Sequence, residues 1–285
     1  MKEKEVLRIQ GTEIVEFEKY LYERENAGAT IRKYLTDLKC FFKFLGEKTE
    51  IDKGRLLAYK EWLIEHYTVN SVNSMLAALN QFLTFCGYCE LKIRRVKTQK
   101  NLFLQEEKEL TCQEYKRLVK AARAEGKSQL ALCIETIAVT GIRVSELKYF
   151  TVEQVKKGRI EVHNKGKYRR IFLTASIRKK LLMFASARKI RSGCIFVTKS
   201  GQPKDRSNLW SEMKALKKKA GVSGEKIFPH NLRHLFARVY YQTTQDLTGL
   251  ADVLGHSSLN VTRIYTSNTG EIYQRQLNRM TILQM

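Results

Sequence analysis

The sequence predicts a mainly α chain of two domains: an N-terminal helical bundle, then a larger α-rich domain with a small antiparallel β-sheet. Three observations predict it. Apolar residues recur at helical spacing from about residue 12 to residue 90. A basic run then breaks the pattern. Beyond it, helical spacing gives way to alternation over residues 160–173 before it resumes. The 285 residues suffice for two cores, and an apolar share of 43% fits a folded chain rather than a disordered one.

In the first domain, residues 1–91, Ile14, Val15, Phe17 and Leu21 form one amphipathic stripe. Ile31, Tyr34, Leu35, Leu38, Phe41, Phe42 and Leu45 form a second, with Thr30 as its expected N-cap. Leu56, Leu57, Trp62 and Leu63 give a third; Val72, Met75, Leu76, Leu79, Phe82 and Leu83, preceded by Ser71, give a fourth. Aromatic residues inside such stripes are read as core. Residues 92–107 are expected to be a basic linker, because Lys92, Arg94, Arg95, Lys97 and Lys100 follow Glu90 without an intervening acid.

The second domain, residues 108–285, opens at Thr111-Cys-Gln-Glu114, a capping box. A helix from about Lys127 to Val139 leads into Thr140–Leu147. Ile160 and Val162, then Ile171 and Leu173, flank Asn164-Lys165-Gly166-Lys167, the pattern of a β-hairpin. A short strand over Cys194–Thr198 and a basic helix over Asp205–Lys219 follow. Pro229 suits the start of a helix that buries Leu232, Leu235, Phe236, Val239 and Tyr240, while His230 and Arg233, three apart, share the opposite face. His234, next to Arg233, is expected to point away from His230 and to be structural. The next helix, Leu247–Leu254, stops at Gly255, which leaves His256 at the corner. Ser257 or Ser258 then caps a short helix carrying Tyr265, and Tyr273, Leu277 and Met280 mark a tail helix over about residues 270–283.

Charge narrows the partner. The net charge is +23, and residues 1–100 carry only +4 of it against +19 for the remainder. Such a balance calls for a polyanion. No apolar run has membrane-spanning length and the N-terminus lacks a signal-peptide core, so a cytoplasmic protein with no membrane partner is expected. The six cysteines sit among apolar residues and read as reduced thiols. Cys86 and Cys89 form a CxxC without a second ligand pair, so no metal site is expected.

The ordered boxes TGIRVSEL (residues 140–147), HNLRH (230–234), LGHSS (254–258) and TRIYT (262–266) resemble the signatures of the tyrosine recombinase (phage integrase) family. At the level of fold the resemblance extends to nearly all of the chain, including a SAM-like core-binding domain at the N-terminus. It implies a two-domain clamp for duplex DNA, a specific recombination site, a bacterial nucleoid setting, and a tetramer on synapsed DNA whose C-terminal tails dock in trans. It also implies a 3′-phosphotyrosyl intermediate, with no metal and no other cofactor.

The residues present can run that chemistry. Phosphodiester cleavage needs a nucleophile, charge stabilisation and a proton for the leaving oxygen. Beyond residue 100 the only aspartates are Asp205, Asp246 and Asp252, without the pairing that holds catalytic Mg²⁺. Fixed cations are the other solution. Arg143 and Arg233 are expected to clamp the non-bridging oxygens, since guanidinium forks match them; a salt bridge to Glu146 is the structural alternative for Arg143. The resemblance selects Tyr265 as nucleophile, nine residues after His256. His230 suits the base that takes its proton. The resemblance implies that His256 donates to a phosphate oxygen. It also makes Lys165, with Lys167 as its competitor, the candidate general acid, and Glu146 is expected to orient an arginine or histidine. Lys92, Arg94, Arg95, Lys97 and Lys100 are expected to lie on DNA phosphates, unless they form a merely solvated tether. A strand-relaxing type IB topoisomerase and a catalytically silent DNA-binding protein are the rival readings.

Overall fold

A computed structural model describes residues 7–8, 13–46, 50–97, 108–164, 167–198, 200–256 and 258–262. The chain divides into two compact units, Met1–Lys100 and Asn101–Met285.

The first unit holds α1 (Glu13–Glu23), α2 (Gly28–Leu45), α3 (Lys53–His66) and α4 (Val69–Phe85), with β1 (Leu7–Arg8) paired antiparallel to β2 (Glu50–Ile51). Each apolar stripe turns inward except at Val15 and Leu57, which stay exposed. Phe17, Leu38, Phe41, Tyr59, Leu63, Leu79 and Phe82 fill one core, and the Phe17 and Phe82 rings meet edge to face at 5.3 Å. The aromatic residues are core, as their spacing predicts. The expected cap at Thr30 moves, and Ser71 does not precede its helix. α2 starts at Gly28, which places Thr30 inside the helix; α4 starts after Thr68, which places Ser71 inside it. Asp52 does cap α3, accepting the Arg55 N–H at 2.8 Å.

The start of the basic run is held rather than loose. Leu91 and Ile93 are buried in the first core. The Asn80 side-chain amide brackets Ile93, donating to its carbonyl and accepting its N–H, both at 2.8 Å. Seven residues earlier on α4, Asn73 brackets Val96 in the same way at 3.0 and 2.8 Å. The Lys53 ammonium donates to the Leu91 carbonyl at 2.9 Å. Residues 91–97 are thus laced to α4 at points two helical turns apart. Lys92, Arg94, Arg95 and Lys97 stay exposed; Lys100 lies outside the described residues.

The second unit is built round α6 (Ser128–Thr140), buried on every face and packed against α5 (Cys112–Ala124), α11 (Pro229–Thr244) and α8 (Ala175–Ala187). The Thr111 hydroxyl accepts the Glu114 N–H while the Glu114 carboxylate accepts the Thr111 N–H, so the capping box at α5 forms as read. After α7 (Val152–Lys157), β3 (Arg159–Asn164) and β4 (Lys167–Phe172) form the hairpin, with Ile160 opposite Ile171 and Val162 opposite Arg169. The expected strand at Cys194–Thr198 is reduced to isolated bridges, Thr151 to Cys194 and Val197 to Pro203. Ile195 and Phe196 are both buried, so the alternation a half-exposed strand needs is absent there. The basic helix splits into α9 (Arg206–Ala215), capped by Asp205, and α10 (Lys217–Ala220). α12 (Leu247–Leu254) and α13 (Leu259–Thr262) follow α11. The expected tail helix lies outside the described residues.

Asn80→Ala removes both hydrogen bonds to Ile93 and is expected to destabilise the first unit by about 1–3 kcal/mol. Trp62 fluorescence during urea unfolding, in a Trp210→Phe background, reads this unit alone. An unchanged midpoint would show that the bracket contributes nothing.

Candidate active site

The last turn of a helix leaves carbonyls without intrahelical donors. At the end of α12 three consecutive carbonyls each take a guanidinium N–H from a different arginine. Arg169 Nη1 donates to Val253 O at 2.5 Å, Arg233 Nη2 to Leu254 O at 2.8 Å, and Arg143 Nη2 to Gly255 O at a longer 3.4 Å. The arginines come from β4, from α11 and from the turn after α6. The negative end of the helix dipole helps to hold three cations together.

Glu146 supplies the counter-charge. Its carboxylate, 1% exposed, accepts the Arg143 backbone N–H at 2.7 Å, Arg143 Nη1 at 3.2 Å, and Arg169 Nη2. The role expected for Glu146 and the structural alternative for Arg143 therefore coexist. The Arg143 side chain remains 37% exposed.

Arg233 has the opposite environment. It is 1% exposed and is the largest fully buried side chain among the described residues. Its Nη1 donates to Gly141 O at 2.6 Å. Gly141 closes α6 at φ +63°, and a Cβ there would stand 2.3 Å from the Phe236 ring. Only glycine lets that corner approach α11 closely enough for this bond.

His256 Nε2 lies 3.0 Å from Arg233 Nη2, and Nδ1 lies 2.8 Å from Thr262 Oγ1. Arginine only donates, so Nε2 accepts; a neutral ring then carries its proton on Nδ1 and gives it to Thr262. In this arrangement no ring N–H is left for a phosphate, contrary to the donor role read from the sequence. Burial, then Arg233 and Arg143, lower the His256 pKa to about 4.

His230 sits exposed in the first turn of α11. Lost hydration, then Arg233, Arg143 and Arg206, hold its pKa below the usual histidine value. The expectation that His234 points away from His230 is overturned: the rings meet edge to face at 4.6 Å. Residues four apart on a helix are neighbours, and that spacing decides the matter. Burial and then His230 lower the His234 pKa to about 4.

Arg143, Glu146, His230, Arg233 and His256 thus come together. Lys165 and Tyr265 lie outside the described residues, and Lys167 is described only as backbone paired with Asn164. Among the described residues no three His, Cys, Asp or Glu side chains converge as metal ligands would, and no helix is long and apolar enough to cross a membrane. Sequence reasoning missed Arg169 and Thr262. For Arg169 a signal existed: it alternates with buried Ile171 on one strand, so it occupies an inward position.

His234 and His256 are neutral when folded and would take protons nearer 6.5 when unfolded. They contribute stability that is present above about pH 6.5 and is lost as pH falls towards 4. Histidine-ring NMR on the full chain is expected to show both neutral at pH 5.5; a midpoint near 6.5 for either would contradict the packing.

The phage integrase family pattern matches residues 108–271, and that of the phage integrase N-terminal SAM-like domain matches residues 14–86. Tyrosine recombinase XerA of Pyrococcus furiosus is 30% identical over 278 residues, covering 94% of each chain. That relative is archaeal, so the similarity does not place this chain in a bacterium. Among solved structures, XerH site-specific recombinase bound to difH substrate in a pre-cleavage complex has a TM-score of 0.68 at 22% identity, covering 93% of this chain and 84% of that one. A lambda integrase tetramer bound to a Holliday junction has a TM-score of 0.72 at 19% identity, covering 93% and 78%. With both of its units matched and a relative of 30% identity over almost its whole length, the chain belongs to the phage integrase family, the tyrosine recombinases.

Proposed function

We propose how the residues of this tyrosine recombinase divide the work of cleaving and rejoining duplex DNA at a specific site. The observation that carries the proposal is the convergence of Arg143, Arg233 and His256 on the end of α12, with His230 on the adjoining first turn of α11. Arg143 turns its exposed guanidinium to one non-bridging oxygen of the scissile phosphate. Arg233 offers the other the N–H that in the free protein faces His256. A phosphate that takes this N–H relieves His256 of its donor and raises the pKa of the ring. His256 Nε2 can then gain a proton and donate to the phosphate.

Tyr265 supplies the nucleophile. Its phenolic oxygen bonds to phosphorus as the bond to the 5′-oxygen breaks, and the phenolic proton passes to His230. A lysine of the hairpin, Lys165 or Lys167, gives a proton to the departing 5′-oxygen. The product is a 3′-phosphotyrosyl ester, and a 5′-hydroxyl from another strand reverses the step. The exposed row Lys92, Arg94, Arg95 and Lys97, with Lys100 beyond it, adds backbone contacts that weaken with salt. Four copies act on two synapsed duplexes, the tail beyond residue 270 of each docking on a neighbour. Deleting residues 270–285 is expected to abolish recombination while the shortened chain still folds; a truncated protein that recombines would end that part of the proposal.

The first test uses end-labelled, nicked duplexes carrying the DNA that adjoins the gene, without divalent metal. Wild type is expected to form an adduct stable to denaturing gels, and Tyr265→Phe none. Binding without an adduct would favour the silent DNA-binding reading. Arg143→Ala is expected to slow adduct formation by about 10²–10³-fold. Because Arg143 is partly exposed, this variant should melt near wild type. Arg233→Ala is expected to lower both rate and melting temperature, since it strips the Gly141 and Leu254 carbonyls of a donor. Equal melting of the two variants would refute the division between an exposed clamp and a buried one.

A further inference from the structure

We infer that Arg169 is a positioning residue for DNA cleavage: it shares the charge of buried Glu146 so that Arg143 keeps its guanidinium for the scissile phosphate. The inference rests on the reading of Arg143 as a phosphate clamp. Arg169 is fixed at both ends of its fork. Nη1 donates to Val253 O at 2.5 Å and Nη2 to the Glu146 carboxylate, and the side chain is only 12% exposed. Its stem passes over Gly255, where a Cβ would stand 2.7 Å from Arg169 Cδ. Gly255 therefore meets two demands, the φ of +63° that ends α12 and the room for this arginine.

Charge explains why the contact bears on cleavage. A buried carboxylate needs a cation and filled hydrogen bonds. Among the described residues Glu146 has two guanidinium partners, and they differ in freedom. Arg169 is enclosed and points nowhere but at Glu146 and the end of α12; Arg143 is partly open, with a contact of 3.2 Å to Glu146 and one of 3.4 Å to Gly255. With Arg169 present, Glu146 is compensated without a full claim on Arg143. Without it, Arg143 is the carboxylate's remaining ion-pair partner, and its guanidinium is drawn into the pair and away from the substrate. Burial lowers the Arg169 pKa, and Glu146 offsets part of that effect. The same bonds tie β4 to the end of α12, so the hairpin strand that begins at Lys167 is anchored to the site by one side chain.

The test compares single-turnover cleavage by the full-length wild type, Arg169→Met and Arg169→Met/Glu146→Gln. The probes are the nicked duplex from the DNA adjoining the gene and the same duplex carrying at the cleaved position the methylphosphonate isomer that replaces the oxygen Arg143 serves. Arg169→Met is expected to be about 10²-fold slower than wild type on the phosphate, in the range of losing one oxyanion donor, and within about 10-fold on the methylphosphonate. In the double variant the amide oxygen introduced by Glu146→Gln can still accept the Arg143 backbone N–H. That variant is expected to regain at least about 10-fold over Arg169→Met on the phosphate, because a neutral amide does not capture Arg143. It also keeps the question open to measurement where the single variant fails to fold. Equal slowing on both substrates would mean general damage to the site and overturn the inference, as would unchanged cleavage by Arg169→Met or a folded double variant that regains nothing. If wild type forms an adduct and Arg169→Met does too at full rate, only this inference fails; if wild type forms none on any duplex, the reading of the site beneath it fails first.

Discussion

The second unit depends on how the last turn of α12 is closed. Val253, Leu254 and Gly255 present carbonyls that the helix cannot satisfy, and each is met by an arginine from a different part of the chain. A helix end is a natural place to store positive charge, since its own partial charge is negative. Three guanidinium groups held close would otherwise repel one another. Glu146 and the helix end offset part of that repulsion and leave an excess of positive charge at the end of α12. The same bonds that satisfy the backbone thus concentrate positive charge at one place.

The histidines show the other side of this arrangement. Burial first, and then the neighbouring cationic and histidine groups, favour their neutral forms: the His234 and His256 pKa values are both lowered to about 4. The charge of the site near neutrality is therefore set by arginine, which does not titrate there. His256 is kept as an acceptor of the Arg233 N–H, and on the reading proposed above an anion would change that balance. On that reading substrate and proton enter as one linked event.

Much of this was legible in the sequence, and what was not has definite causes. Helical spacing located α11 and α12, and Gly255 marked the end of the latter correctly, because a helix terminus depends on local backbone chemistry. Arg143, Arg233 and His256 were found by the order of their boxes. What the boxes did not reveal is depth: nothing local distinguishes the nearly inaccessible Arg233 from the partly open Arg143. Arg169 was missed because the hairpin was read from its apolar residues alone, although Arg169 shares a strand face with buried Ile171. Asn73 and Asn80 were passed over for a related reason. Their partners lie outside the helix, and helical spacing describes only the helix. Residues 92–107 were read from composition as a basic linker on DNA phosphates, yet Ile93 within it is a core residue.

The difference in depth between the two box arginines bears on how such a sequence decays. Gly141, Gly255 and Arg233 hold up the fold by close approach and by buried hydrogen bonds. A copy that had lost its chemistry but still folded to bind DNA would keep all three. His230, exposed, and Arg143, more open than Arg233, would be freer to drift in such a copy. The motif is therefore uneven as a sign of a living enzyme. Its glycines and its buried arginine testify to architecture, and the burden of showing that the gene still encodes a cutter falls on the residues the fold could spare.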